Sequence, residues 1–127
     1  MTSFKDQYSF DERLKESTRI KSKYPDKIPI IVEMASGSKL ASLVPFSKQD
    51  TLKPLEKKKY LVPNDLTIAQ FQYVIRQKLK IDHTKSIFIF INNTIPPTTE
   101  LMSVLYDKFQ DSDGFIYVLL QNESTFG

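Results

Sequence analysis

Residue types that commonly carry enzyme chemistry are sparse in this chain. It has no cysteine and one histidine, His83, in the polar segment Asp82-His83-Thr84-Lys85. Without further histidines or thiolates, neither a zinc site nor a cysteine nucleophile is expected. Asp111 and Asp113 could form a carboxylate pair, but Gly114 follows them directly, and that order is typical of a turn. No phosphate-binding glycine motif occurs. We therefore predict no enzyme, no metal site and no cofactor.

A run of three lysines, Lys57-Lys58-Lys59, is the densest charge in the chain. The formal net charge is only +3, but residues 1–63 carry 13 Lys and Arg against 8 Asp and Glu, whereas residues 64–127 carry 5 against 7. The run is either a solvated strand entry or an electropositive rim beside a pocket. A basic face of this kind could meet phosphate, an anionic membrane or an acidic peptide.

The sequence ends in Phe126-Gly127, on a tail from residue 121 that lacks hydrophobic periodicity. Because glycine has no side chain, its carboxylate can enter a narrow enzyme cleft for adenylation and thioester transfer. The N-terminal residues do not have the order of a secretory signal, and no apolar run approaches the ~20 residues of a membrane span. We expect a single cytosolic domain.

The sequence predicts two helices that each begin with a capping box. Ser9 and Glu12 have the Ser-x-x-Glu spacing, and a narrow apolar stripe that includes Ser17 follows until Pro25 ends the helix. Residues 4–7 predict a short turn before it. Thr67 and Gln70 repeat the spacing at the start of a second amphipathic helix of about a dozen residues.

Strand-like runs alternate with these helices. They cover residues 28–34, 59–63, 86–91 and 115–120, and residues 99–108 predict a short helix. Pro29 favours an edge position for the first strand, whereas the unbroken apolar run 86–91 favours a central one beside the last strand. The order is helix, strand, strand, helix, strand, short helix, strand, which predicts an α+β fold of the ubiquitin-like β-grasp type.

Several ordered segments resemble the autophagy-related protein 8 family, the ubiquitin-like modifiers of the GABARAP and light chain 3 type. The resemblance rests on residues 23–33, 58–67, 87–93, 96–98 and 113–118, and on Phe126-Gly127. It implies a four-stranded mixed sheet with two N-terminal helices. The implied organisation is a helical extension over 1–25, a β-grasp core over 26–120 with a long loop at 35–54, and a conjugation tail over 121–127.

The resemblance also implies a function without a catalytic residue. Gly127 would be activated by an E1-like enzyme, passed to an E2-like enzyme and joined to phosphatidylethanolamine, with a cysteine protease for processing and deconjugation. The protein would be cytoplasmic, and on the autophagosome membrane when lipidated. There it would act as an adaptor for cargo receptors that carry an aromatic-x-x-aliphatic motif. We expect a monomer in solution and no nucleic-acid partner.

Two pockets for that motif are implied residue by residue, together with basic side chains that would attract acidic residues beside it. The pocket for the aromatic residue would be lined by Glu16, Ile20, Pro29, Ile31, Lys59, Leu61 and Phe115. The pocket for the aliphatic residue would be lined by Tyr60, Val62, Pro63, Leu66, Phe71 and Val74. The acidic-partner contacts would be Lys27, Lys57 and Arg76, with Lys59 at the same rim.

Two features depart from the family pattern. The segment 35–54 is longer than the usual connection by about a dozen residues and lacks its acidity, which bears on receptor preference. Lys27 and Lys78 stand where arginine is common, and lysine offers a point charge rather than a bidentate fork. The alternative function is an unconjugated basic β-grasp module that binds microtubules, RNA or anionic membrane.

Overall fold

The computed structural model describes residues 3–34, 58–82, 84 and 86–122. The predictions for the loop 35–54, Lys57, His83 and Gly127 lie outside the described residues. Among the described residues, no helix is long and apolar enough to cross a membrane, and no group of three or more His, Cys, Asp or Glu could hold a metal ion.

Two helices precede the sheet, as predicted. The helix α1 covers Phe4–Gln7 and α2 covers Phe10–Lys23. Both halves of the capping box at the start of α2 are present: Ser9 Oγ accepts from the Glu12 amide, and the Glu12 carboxylate accepts from the Ser9 amide. These bonds satisfy amides that have no partner within the helix, and so fix where α2 begins.

Four strands form one mixed sheet. They are β1 (Lys27–Met34), β2 (Lys59–Pro63), β3 (Ile87–Phe90) and β4 (Ile116–Asn122), in the spatial order β2-β1-β4-β3. The strand β1 pairs antiparallel with β2 and parallel with β4, and β4 pairs antiparallel with β3. The predicted hairpin of the first two strands is confirmed.

The predicted positions of two strands in the sheet are wrong. The strand β1 is central, because it lies between β2 and β4, and Ile28 to Val32 are all buried, so both of its faces are covered. Pro29 is tolerated there because the ladder with β4 begins only at Ile30. The strand β3 lies at an edge, where buried Ile87 and Ile89 alternate with half-buried phenylalanines. Its unbroken apolar composition therefore does not mean burial on both faces.

The helices α3 (Ile68–Leu79) and α4 (Met102–Phe109) cover one face of the sheet. The capping box of Thr67 and Gln70 begins α3 as predicted. The short helix begins three residues later than predicted, because the Ile68 amide donates to the Glu100 carbonyl at 2.9 Å and Thr67 bridges to Leu101. The strand β4 also extends to Asn122, which pairs with Ile87, so its last two residues overlap the predicted tail.

The two faces of the sheet have separate cores. On the α3 face the buried set is almost wholly aliphatic. On the face covered by α1 and α2, the buried apolar cluster consists of Phe4, Ile20, Ile31 and Phe115. Successive side chains of a strand point to opposite faces of the sheet. Neighbouring residues of β2 therefore lie beside different cores.

Candidate functional site

The strand β2 is at one edge of the sheet, where a peptide could add as a further strand. It pairs with β1 in a register that runs from Lys27 opposite Pro63 to Ile31 opposite Lys59. Among the strands that the structure describes, β2 has a neighbour only on the β1 side. An edge of this kind presents main-chain amides and carbonyls to which an extended peptide can add as a further strand.

The predicted aromatic pocket lies on the α2 side of the sheet, beside β2. Lys59 is opposite Ile31, and Leu61 is opposite Pro29. The Leu61 side chain is exposed, at 37% of its full accessibility, whereas Pro29 and Ile31 are buried. The structure brings the seven predicted residues to this side of the sheet and divides them into buried walls and an exposed rim. The walls are Ile20, Pro29, Ile31 and Phe115, and the rim is Glu16, Lys59 and Leu61.

The charged part of that rim is an ion cluster centred on Glu16. Arg19 donates to both carboxylate oxygens, from Nε to Oε1 and from Nη2 to Oε2, each at 2.9 Å. Lys59 Nζ donates to Oε2 at 2.6 Å. The hydrogen bonds from Arg19 are the largest influence on the Glu16 pKa and, together with Lys59, lower it to about 2 against the opposing effect of burial.

The predicted aliphatic pocket lies on the α3 side of β2. Tyr60 and Val62 point to this side, and the Tyr60 ring meets the Phe71 ring edge to face at a centroid distance of 6.5 Å. Burial raises the pKa of Tyr60 to about 12. Val62 and Phe71 are part of the main core, Pro63 is exposed, and Leu66 and Val74 are half-buried. The accessible part of this pocket is therefore formed by side chains that also support the fold.

Of the predicted acidic-partner contacts, Lys27 and Arg76 are among the described residues, and they lie on different elements. Lys27 begins β1 opposite Pro63, and its carbonyl accepts from Lys21 Nζ at 3.3 Å. Arg76 donates from Nη1 to the Asp82 carbonyl at 3.2 Å, beyond the C-terminal end of α3. Lys59, together with Arg19 on Glu16, is at the pocket rim itself.

A buried polar network, which the sequence reasoning missed, fixes α2 to the sheet. Asp113 is fully buried and accepts from Arg13 Nη1 at 2.6 Å, from the Phe115 amide at 2.9 Å and from the Tyr117 hydroxyl. The buried Ser17 hydroxyl donates to the Asp113 carbonyl. The one sequence signal was Ser17, a small polar residue within the apolar stripe of α2.

Comparisons with known proteins agree on one family. The family model described as "Autophagy protein Atg8 ubiquitin like" matches residues 12–127. The chain is 46% identical to autophagy-related protein 8 of Schizosaccharomyces pombe over 126 residues, 99% of this chain and 94% of that protein. It is 45% identical to autophagy-related protein 8c of Arabidopsis thaliana, over 99% of this chain and 96% of that protein. The crystal structure of ATG8 from Trypanosoma brucei superposes with a TM-score of 0.82 at 30% identity, covering 100% of this chain and 99% of that one.

Proposed function

The chain belongs to the Atg8 family of ubiquitin-like autophagy proteins, and we propose that it works as a membrane-conjugated adaptor. In this proposal the Gly127 carboxylate is activated by an E1-like enzyme, transferred to an E2-like enzyme and joined to phosphatidylethanolamine. The family model extends to Gly127, which supports assigning this residue as the acyl donor. A cysteine protease would process the tail and release the lipid. In this proposal the chain is the substrate of these enzymes and not itself a catalyst.

The adaptor part of the proposal rests on one observation: β2 is an edge strand with a different apolar patch on each side. A peptide in extended conformation directs alternate side chains to opposite faces. If it adds to β2, its aromatic residue can meet Leu61 on the α2 side, while an aliphatic residue three positions later reaches the Tyr60 side near the sheet edge. Cargo receptors with an aromatic-x-x-aliphatic motif fit this arrangement.

The rim charges favour acidic residues beside the motif. Glu16 carries one negative charge, and Arg19 and Lys59 carry two positive charges within hydrogen-bond distance of it. The cluster therefore has an excess of positive charge. Such complementarity contributes to the association rate and to the choice of partner more than to the depth of binding.

Membrane attachment would strengthen the binding of receptors without new contacts between the two proteins. A phosphatidylethanolamine anchor carries two acyl chains, which is enough for stable anchoring. Many copies on one membrane would then bind a multivalent receptor with greater avidity than a single copy. The expected location is cytoplasmic, and on the autophagosome membrane when lipidated.

Intact-protein mass spectrometry tests the conjugation. The purified chain is incubated with its E1-like and E2-like enzymes, ATP and liposomes that contain phosphatidylethanolamine, beside a variant that lacks Gly127. We expect an adduct of lipid mass that requires ATP and Gly127. If the same enzymes lipidate another family member and leave this chain unmodified, the conjugation proposal is wrong. Binding to anionic liposomes that weakens steeply with salt and survives loss of Gly127 would then favour the unconjugated basic module.

Calorimetry tests the adaptor role separately. A peptide with an aromatic-x-x-aliphatic motif is titrated into the unconjugated chain, and a peptide with alanine at both motif positions is the control. We expect binding of the first peptide only. Equal heats for the two peptides would contradict the groove at β2 whatever the outcome of the lipidation assay.

A further inference from the structure

The ion cluster of Glu16, Arg19 and Lys59 has an asymmetry that bears on peptide selection. Arg19 is on the same helix as Glu16 and binds both oxygens of its carboxylate, while Lys59 comes from β2 and binds one of them. The side chain of Arg19 is 54% exposed, whereas those of Glu16 and Lys59 are each 17% exposed. Arg19 is thus the more exposed of the two cations that bind Glu16, and Lys59 is the one that comes from the edge strand β2.

A bidentate guanidinium satisfies a carboxylate without help from a second cation. If Lys59 leaves Glu16, the carboxylate keeps two charge-assisted hydrogen bonds from Arg19. Without Arg19, the departure of Lys59 would leave a largely buried carboxylate without either of these two cations, which is costly. The energetic cost of redirecting Lys59 to another acceptor therefore depends on Arg19.

Lys59 is well placed for such a second acceptor. It is the first residue of β2 and is opposite Ile31, a buried wall of the aromatic pocket. Leu61, the exposed rim of that pocket, is two residues further along the same strand and so projects from the same face. An acidic side chain that neighbours the aromatic residue of an added peptide would meet the Lys59 ammonium group.

We propose that Arg19 is a positioning residue for peptide selection: it holds Glu16, and thereby releases Lys59 to bind an acidic side chain adjacent to the aromatic residue of the peptide. This inference rests on the proposed groove at β2. Arg19 itself does not touch the peptide. Its role is to make an acidic neighbour favourable, and a chain without it would discriminate less between acidic and neutral peptides.

The first test compares two peptides that differ only at the position before the aromatic residue, Glu in one and Gln in the other. Calorimetry gives the ratio of their affinities for the native chain, for Arg19→Gln and for Lys15→Gln. Lys15 is an exposed cation on the same helix, so its loss changes the net charge equally. We expect Arg19→Gln to lower the affinity for the Glu peptide about fivefold, leave the Gln peptide within about twofold, and so reduce the ratio, while Lys15→Gln leaves it unchanged.

A rescue variant separates this role from a merely structural one. In Glu16→Gln/Arg19→Gln, the carboxylate that binds Lys59 is removed, so the preference for the Glu peptide should return. If the ratio of affinities is unchanged in Arg19→Gln, or if the double variant does not restore it, the proposal is wrong.

A measurement without peptide distinguishes this failure from failure of the groove itself. An amine-acylating reagent modifies the Lys59 amine only when this amine has left Glu16, and mass spectrometry gives the rate of modification. We expect Lys59 to react about threefold more slowly in Arg19→Gln than in the native chain, and at or above the native rate in the double variant. Equal Lys59 rates in all three proteins would overturn the release mechanism. If these rates differ as expected but neither peptide binds the native chain, the groove proposal has failed instead.

Discussion

The two faces of the sheet are stabilised in different ways. The face under α3 and α4 is packed with aliphatic side chains around Phe71, and its buried side chains make no ion pair among the described residues. The face under α1 and α2 has a small cluster around Phe4 and Phe115, and beside it the fully buried Asp113 with its partner Arg13. One face depends on apolar area, and the other on a few aromatic contacts and a buried charge pair.

This difference matters for the two predicted pockets. The aliphatic pocket shares Val62 and Phe71 with the main core, so substitutions there change folding and binding together. The aromatic pocket has buried walls but an exposed rim, formed by Leu61 and the Glu16 cluster. Function can therefore be separated from stability on the α2 side, and four experiments test that contrast.

The largest effect on stability is expected from Phe71→Ala on the α3 face. Phe71 is fully buried and contacts the Tyr60 ring, so its loss leaves a cavity in the main core. We expect the free energy of unfolding to fall by about 3–5 kcal/mol. Urea denaturation at neutral pH measures it, and Tyr73→Ala is the control, because Tyr73 is on the same helix and is mostly exposed. Similar losses in the two variants would contradict the assignment of this face as the main core.

Asp113→Ala should give the next largest effect, on the α2 face. The substitution leaves the Arg13 guanidinium, which is only 11% exposed, without its carboxylate and also removes the acceptor of the Tyr117 hydroxyl. We expect a loss of about 3 kcal/mol by urea denaturation, because an uncompensated charge remains buried. The control is Asp111→Ala, which removes a partly exposed pair with Lys5 and one hydrogen bond from the Asp113 amide but leaves the Asp113 carboxylate with Arg13, so it should cost less than about 1.5 kcal/mol. Equal losses would mean that the buried network does not stabilise this face.

Local signals in the sequence were sufficient for most of the elements. The capping boxes at Ser9 and Thr67 are contained within four residues each, and both form as predicted. The strands are short apolar runs with clear ends, and their bounds are close to those predicted. Local hydrogen bonds and side-chain periodicity decide these features, so a single sequence contains the information.

Features that depend on distant contacts were not predictable in the same way. Asp113 has the local pattern of a turn, and Gly114 adopts a φ of +89° there, yet Asp113 is buried because Arg13, 100 residues away, reaches it. The order of the strands likewise depends on which strands pair with each other across the chain, and not on the composition of β1 or β3 alone. The pocket residues came from the resemblance to a family, and their positions beside β2 make them testable.

A smaller effect, dependent on pH, is expected from Glu16 at the rim of the α2 face. Its pKa is lowered to about 2 in the folded chain, chiefly by Arg19, so the native state binds fewer protons than the unfolded state between this value and the ordinary one near 4.5. The stabilisation is present above the ordinary pKa and is lost as pH falls through the folded value. As the pH falls from about 5 to about 2, the free energy of unfolding should fall by about 1 kcal/mol less in Glu16→Gln than in the native chain. The difference is this small because solvent screens the exposed Arg19 side of the pair. Parallel pH profiles from urea denaturation would contradict this.

The smallest effect on stability, combined with a large effect on binding, is expected from Leu61→Ala. Leu61 is on the exposed rim of the aromatic pocket, at 37% accessibility, so its truncation should lower the free energy of unfolding by less than about 1 kcal/mol. Leu119→Ala is the matched control, because Leu119 is a leucine of 38% accessibility on the central strand β4. We expect the affinity for an aromatic-x-x-aliphatic peptide to fall at least about tenfold in Leu61→Ala and to stay unchanged in Leu119→Ala, since only Leu61 borders the β2 edge. Calorimetry measures both affinities. Unchanged affinity in Leu61→Ala would contradict the assignment of the aromatic pocket to this side of β2. Equal losses of affinity in the two variants would mean that the effect is not specific to the β2 edge.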